Sequence, residues 1–169
     1  MPEPIEHARH RGFIETILRH IPGFHGYLEK EYRRDSDALQ REWLADRLQH
    51  AKRSVDNLSG LLAEAGQIDA LPQIDRLRAR LDQLLARVRG AMRGYSGWFD
   101  LVQIKEDTLD RIYRHDINLI DEVDALARAV EQLPEHQQDM GAALADASAK
   151  TDALERLWDA REDILKGVD

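Results

Sequence analysis

The stretch LADRLQHAKRSVDNLSGLLAEAG, Leu44 to Gly66, decides the fold. Leu44, Leu48, Ala51, Val55, Leu58, Leu62 and Ala65 follow one another at steps of four and three. That alternation is a heptad seam, an apolar stripe along one face of a long helix. Gly66 follows the last seam residue, where a glycine closes helices. Upstream, Tyr27, Leu28, Tyr32 and Leu39 continue an apolar face less regularly, so the spacing predicts one helix over 27–65.

The same pattern recurs downstream. Ile74, Leu77, Leu81, Leu84, Val88 and Ala91 predict a helix over 72–92, with Pro72 in its first turn. Leu109, Ile112, Asp116, Leu119, Val123, Leu126, Val130 and Leu133 predict a helix over 99–133, closed by Pro134. In it Asp116 stands where an apolar residue is expected. Met140, Leu144, Ala147, Thr151, Leu154 and Trp158 predict a helix over 136–166. A shorter amphipathic segment, Phe13 to Ile21, predicts a helix over 10–20 that stops at Pro22-Gly23, with 1–9 flexible. No strand alternation is sustained.

Each stripe covers one face, so each helix must bury it against partners. The expected fold is all-α: one domain over 1–169, an antiparallel up-down-up-down four-helix bundle with coiled-coil-like seams and a short N-terminal helix. The same seams also allow an extended coiled-coil hairpin that dimerises. The closed bundle is the preferred arrangement.

Composition narrows the function classes. The 169-residue chain is long enough to bury a real core, and 43% of it is apolar. It has no cysteine, which removes disulfides, thiol catalysis and thiolate metal sites. The start, Met-Pro-Glu-Pro-Ile-Glu-His, lacks a basic segment followed by an apolar run, so no secretory signal is expected there. No stretch approaches the roughly 20 apolar residues that span a bilayer. A cytoplasmic protein is expected. The net charge is −8, and residues 100–169 carry eight basic and eighteen acidic residues. A chain this acidic is a poor partner for nucleic acid.

Two corners stand out. Gly23-Phe24-His25-Gly26-Tyr27 precedes the first long helix, and Gly94-Tyr95-Ser96-Gly97-Trp98 precedes the third. Both read glycine, aromatic, any residue, glycine, aromatic. Glycine reaches backbone angles that other residues resist, so both are expected to be tight, shaped turns. In an up-down-up-down bundle both corners lie at one end, with the end of the last helix. Phe13, Phe24, Tyr27, Tyr32, Tyr95, Trp98, Phe99 and Trp158 should gather there, with Trp43 and Tyr113 about 20 Å along their helices.

Lys30, Arg33, Arg34 and Asp35 follow the first corner, and Arg89, Arg93 and Asp100 flank the second. Asp35 is in phase with Leu28, Tyr32 and Leu39, so it is expected to point inward, with an arginine as partner. Such an end serves as a structural plug or as a docking surface, since aromatics and arginine are enriched at interface hot spots. The candidate binding residues are Phe24, Tyr27, Lys30, Arg33, Arg34, Asp35, Arg93, Tyr95, Trp98, Phe99 and Asp100. The leading reading is a non-enzymatic module that docks a protein partner there, with homo-oligomerisation through the seams as a further partner class.

Other constellations carry less. No Glu-x-x-His of the di-iron bundles occurs. Glu42, Asp46 and His50 share a helix face, but it lies away from Leu44 and Leu48. No cofactor, metal site or catalytic residue is assigned. A ligand- or metal-binding bundle, enzymatic or not, would use Asp35 and Asp116 with His25 or His115. Arg76, Arg80 and Arg87 lie near one face of the 72–92 helix. Salt bridges to the acidic helices after it are the expected use, and a membrane-surface adaptor is the alternative. The two Gly-x-x-Gly turns lack the lysine and strand of a phosphate loop.

The segments Ile21-Pro22-Gly23-Phe24-His25-Gly26-Tyr27, Glu29-Lys30-Glu31, Arg33-Arg34-Asp35 and Gly94-Tyr95-Ser96-Gly97-Trp98-Phe99-Asp100 resemble a pattern from small bacterial helical-bundle proteins. The resemblance covers the first two-thirds of the chain. That family has no established activity, so the resemblance implies a helical bundle and singles out the two corners without supplying a mechanism.

Overall fold

Helices with one apolar stripe are stable only when the stripe is covered, and here the stripes are covered by one another. The computed structural model describes residues 4–90, 97–101 and 103–167. Among them lie five α-helices and no strand: α1 (Pro4–Leu18), α2 (Lys30–Glu64), α3 (Leu71–Gly90), α4 (Glu106–Glu131) and α5 (Met140–Lys166). α2 packs on α3 and α4, α5 packs on α4 and α3, and α1 lies on α4. The seam of α2 from Leu44 to Leu62 is buried, as are Ile74 to Val88 on α3 and Leu109 to Val130 on α4. Each such leucine or isoleucine contributes roughly 1.5–3 kcal/mol relative to exposure.

The ends follow local chemistry. Gly66 sits at φ 72°, and Gln67 N–H donates to the Leu62 carbonyl at 2.9 Å, the 6→1 bond that closes α2. Pro134 lies in a short 3-10 turn, Leu133–Glu135, after α4. The flanks of the helices are tied by ion pairs: Lys52–Asp82 at 2.7 Å and Arg78–Asp56 at 2.5 Å join α2 to α3, and Arg47–Asp124 at 3.0 Å joins α2 to α4. Arg80 pairs with Glu155 and Arg87 with Asp159, so two of the arginines read as a cationic face on α3 are committed to acids of α5. Such exposed pairs contribute about 0–1 kcal/mol each.

Four boundaries differ by three residues or more from the sequence reading, one being that of α5, which begins at Met140 rather than 136. α1 begins at Pro4, inside the segment expected to be flexible. α2 begins at Lys30, so Leu28 precedes the helix and is exposed. α4 begins at Glu106 rather than 99, because Gly97–Asp100 forms a separate 3-10 turn. The last shift moves Tyr113 to about 10 Å from the start of its helix. It therefore joins the aromatic cluster, 5.5 Å from Tyr27 and 5.9 Å from Phe13 between ring centroids. The expected end of the second long helix, 91–92, lies outside the described residues.

Candidate functional site

The first corner is built around Gly26. Its φ is 87°, and a Cβ there would stand 2.6 Å from the Tyr113 hydroxyl and 2.9 Å from Ile14 Cδ1. Only glycine lets the loop pass this close. The approach gives the Tyr113 hydroxyl the Tyr27 N–H, at 2.7 Å. It also drives the Tyr27 ring into the core, where it meets Phe24 edge-on at 5.5 Å and Trp98 of the second corner at 5.6 Å.

Below the aromatics lies a sealed polar layer. Asp116 is fully buried in α4. Its Oδ2 accepts the Tyr27 hydroxyl at 2.5 Å, and its Oδ1 accepts Arg161 Nε of α5 at 2.9 Å. Arg161 Nη2 donates to Asp37 Oδ1 at 2.5 Å and to Gln40 Oε1 at 3.0 Å. The second oxygen of Asp37 accepts Arg41 Nε at 2.7 Å. Two carboxylates thus face two guanidiniums, and the charges cancel. Arg161 also lies over the Trp158 ring at 5.5 Å.

The surroundings set the protonation states. Burial works to lower the Arg161 pKa, but the Asp116 and Asp37 carboxylates outweigh it and hold the guanidinium well above its ordinary range. Burial, reinforced by the Asp116 charge, pushes the Tyr27 phenol well above its ordinary value. Tyr113 is raised by burial as well, opposed by the N–H bonds it accepts from Tyr27 and Leu28. Tyr27, Asp37, Gln40, Arg41, Asp116 and Arg161 are at most 6% exposed.

A second arginine organises the corners. Arg33 is 1% exposed. Its Nε donates to the Tyr27 carbonyl at 2.8 Å, Nη2 to the Leu28 carbonyl at 3.3 Å, and Nη1 to the Leu101 carbonyl. The guanidinium also rests 5.7 Å from the Trp98 ring centroid. Burial lowers the Arg33 pKa. Arg33 is thus the tie between the loop before α2 and the turn before α4.

The expected site residues divide into layers. Phe24, Tyr27, Arg33, Trp98 and Phe99 are buried, while Lys30, Arg34, Asp35 and Asp100 are exposed. Arg93 and Tyr95 lie outside the described residues. The expectation that Asp35 points inward is corrected: Asp35 faces solvent, and Asp37 occupies the inward place. A phase counted from Leu28 fails because Leu28 precedes the helix. Lys30, Arg34 and Asp100, but not Asp35, frame a shallow hollow of about 670 Å³ lined also by Glu29, Glu31 and Phe99. Arg34 pairs with Asp100 at 3.3 Å and lies over the Phe99 ring.

Of the residues a metal or ligand core would use, Asp35 is exposed on α2 and the other three have neighbours of their own. Asp116 is bonded to Arg161, the exposed His25 stacks on Tyr32 at 4.7 Å, and His115 Nε2 lies 2.5 Å from the Leu157 carbonyl. Among the described residues no group of three histidine, aspartate or glutamate side chains is placed to hold a metal. No described helix is long and apolar enough to cross a membrane. No family model matches the chain, and neither a curated protein nor a solved structure is significantly similar to it.

Proposed function

We propose that the chain is a non-enzymatic interaction module that docks a protein partner at its glycine-aromatic end. The observation that carries this reading is the Arg33 tie. By bonding the carbonyls of Leu28 and Leu101 it brings together two leucines that are 42% and 47% exposed. Beside them lies the hollow edged by Lys30, Arg34 and Asp100. Apolar contacts surrounded by charge are the anatomy of protein interfaces. The aromatic residues lie beneath this surface and stiffen it, and a surface fixed before binding loses less entropy on association.

The finer architecture belongs to the same proposal. Along α2 and α3 the pairs Lys52–Asp82 and Asp56–Arg78 step in opposite directions. Along α3 and α5 the pairs Arg80–Glu155 and Arg87–Asp159 step in the same direction. Both registers support an up-down-up-down bundle of α2 to α5 with α1 laid on α4. Self-association is the second partner class, a cytoplasmic setting is supported by the absence of cysteine, and the net charge of −8 disfavours nucleic acid.

The test is a paired substitution, Leu28→Glu with Leu101→Glu, at exposed positions outside the core. Crosslinking capture by the native chain should recover a defined partner that the double variant loses while its melting temperature is unchanged. Equal capture by both proteins refutes the docking surface. Light scattering across concentration decides the self-association part: a constant monomer mass removes it.

A further inference from the structure

We propose that α1 is exchangeable between copies of the chain: the groove that seats it on α4 also takes α1 of a second copy, closing a swapped dimer. The proposal rests on the self-association part of the proposed function and names the surface that carries it.

The groove is specific for α1. Asp110 of α4 is buried, and its two oxygens take His10 Nε2 at 2.8 Å and Arg9 Nη2 at 2.9 Å. One turn further on, the Tyr113 ring meets Phe13 at 5.9 Å and His10 at 5.8 Å, and the Arg114 guanidinium lies 5.9 Å from the Phe13 ring. The far edge is Gly26, whose missing side chain leaves room for Ile14. The Tyr27 N–H holds the Tyr113 hydroxyl at 2.7 Å, so this edge is fixed from the bundle side rather than by α1.

The helix in the groove is weakly held. α2, α3, α4 and α5 each pack on two or more other helices, while α1 packs chiefly on α4. It has 15 residues, a length at which an isolated helix is marginal in water. Gly12 stands near its middle, and among the described residues a Cβ there would meet nothing within 4 Å. No close approach asks for glycine at that place, so its effect is to weaken the helix. The exposed Leu18, Arg19 and His20 follow before the buried Ile21, which puts the hinge at 18–20. The seams of α2, α3 and α4 are buried in the bundle and offer nothing to a second copy. The α1 groove becomes open to one whenever the resident helix swings out, and a swapped helix repeats every contact of the resident one. The resident helix is tethered by residues 19–29 and competes at an effective concentration on the order of millimolar.

The test therefore mixes isotope-labelled and unlabelled full chains at about millimolar concentration, warms them so that α1 exchanges, and reads isotope-filtered proton contacts between copies. Contacts of the Phe13 ring of one copy with the Tyr113 ring of the other are expected, in a particle of dimer mass whose amide shifts differ from the monomer's mainly at 18–21. Native mass spectrometry of heavy and light chains gives the exchange rate. Gly12→Ala should slow exchange roughly two- to fivefold by strengthening the helix. Asp110→Ala should speed it roughly tenfold or more by removing its anchor. Leu28→Glu with Leu101→Glu should leave the dimer and its exchange unchanged. A constant monomer mass overturns the swap together with self-association. A dimer without Phe13–Tyr113 contacts, or exchange unmoved by Gly12→Ala and Asp110→Ala, overturns the swap and leaves self-association to another surface. Loss of the dimer in the Leu28→Glu, Leu101→Glu chain also overturns the swap and moves self-association to the docking end.

Discussion

Replacing Arg161 by methionine tests the polar layer directly. Methionine approximates the length of the arginine stem but removes every polar contact, namely those with Asp116, Asp37, Gln40 and the Tyr27 hydroxyl. The two carboxylates do not suffer equally. Asp37 keeps Arg41 at 2.7 Å, while among the described residues Asp116 keeps only the Tyr27 hydroxyl at 2.5 Å. Asp116 is 0% exposed, so water cannot replace the lost cation. Stranding one buried charge costs about 3–5 kcal/mol. For a chain of 169 residues that corresponds to a melting temperature lowered by roughly 6–20 °C.

The assay is urea unfolding followed by far-ultraviolet circular dichroism, with the native chain, Arg161→Met, Asp116→Asn and the double variant measured together. Asp116→Asn should be destabilising in the native background and stabilising in the Arg161→Met background, because there it removes the stranded charge. An Arg161→Met variant within about 1 kcal/mol of the native chain, less than one buried charge-assisted bond, would refute the reasoning. So would an Asp116→Asn effect of the same sign in both backgrounds.

Four further outcomes are expected. Gly26→Ala should cost clearly more than Gly66→Ala in the same unfolding assay. Both sit at positive φ, where a side chain costs roughly 1–2 kcal/mol, but only at Gly26 would the Cβ meet other atoms, at 2.6 and 2.9 Å. Tyr27 and Tyr113 both have raised phenol pKa values. Their contribution is therefore fully present below the ordinary phenol value of about 10, and stability should fall as pH climbs above it, with tyrosinate absorbance from these two rings appearing only on unfolding. Asp110→Ala removes the partner of the buried His10 ring, at 2.8 Å, and of Arg9, at 2.9 Å. Hydrogen exchange in 4–18 should quicken roughly 10- to 100-fold, the equivalent of one charged hydrogen bond, while protection in α2 to α5 stays unchanged. Finally, leucine at positions 37, 41, 116 and 161 together should leave melting unchanged or raised, yet broaden the amide spectrum as unique packing is lost; a sharp native-like spectrum would count against a register role.

Helix positions were legible in the sequence wherever an apolar stripe ran unbroken, because burial follows the same period that the eye reads. The polar layer was legible only in part, and for a definite reason. Asp116 stands out because isoleucine and leucine flank it along the seam, at Ile112 and Leu119. Arg161 occupies the same kind of place, three residues after Trp158 and four before Leu165, but lies where the apolar stripe was thinning. Arg41 and Asp37 continue the α2 seam backward from Leu44 at steps of three and four. Being polar they do not show in the apolar stripe, and Leu28, which does, lies outside the helix. The usable signal was the heptad step itself, carried through polar residues. Partner choice had no such signal. That Asp116 would take Arg161 depends on which helices meet at that level, and the spacing of one helix says nothing about another.

These four seam positions explain why the two ends of the fold differ. An apolar seam tolerates a slip of one helix against its neighbours, since leucine replaces leucine. A seam holding Asp116 does not, because sliding α5 by one turn, about 5.4 Å, would carry Arg161 away and set Asp116 against an apolar stripe. Asp37 and Arg41 impose the same condition on α2. The layer thus fixes α2, α4 and α5 in one register at the end where Tyr27 meets Trp98. Tyr27 belongs to both systems: its hydroxyl reaches Asp116, and its carbonyl accepts Arg33. The register of the core is thereby passed to the backbone of Leu28 and Leu101. A surface built on these two leucines inherits its shape from Asp116 and Arg161, two layers below, so substitutions that never touch a partner should still alter its capture.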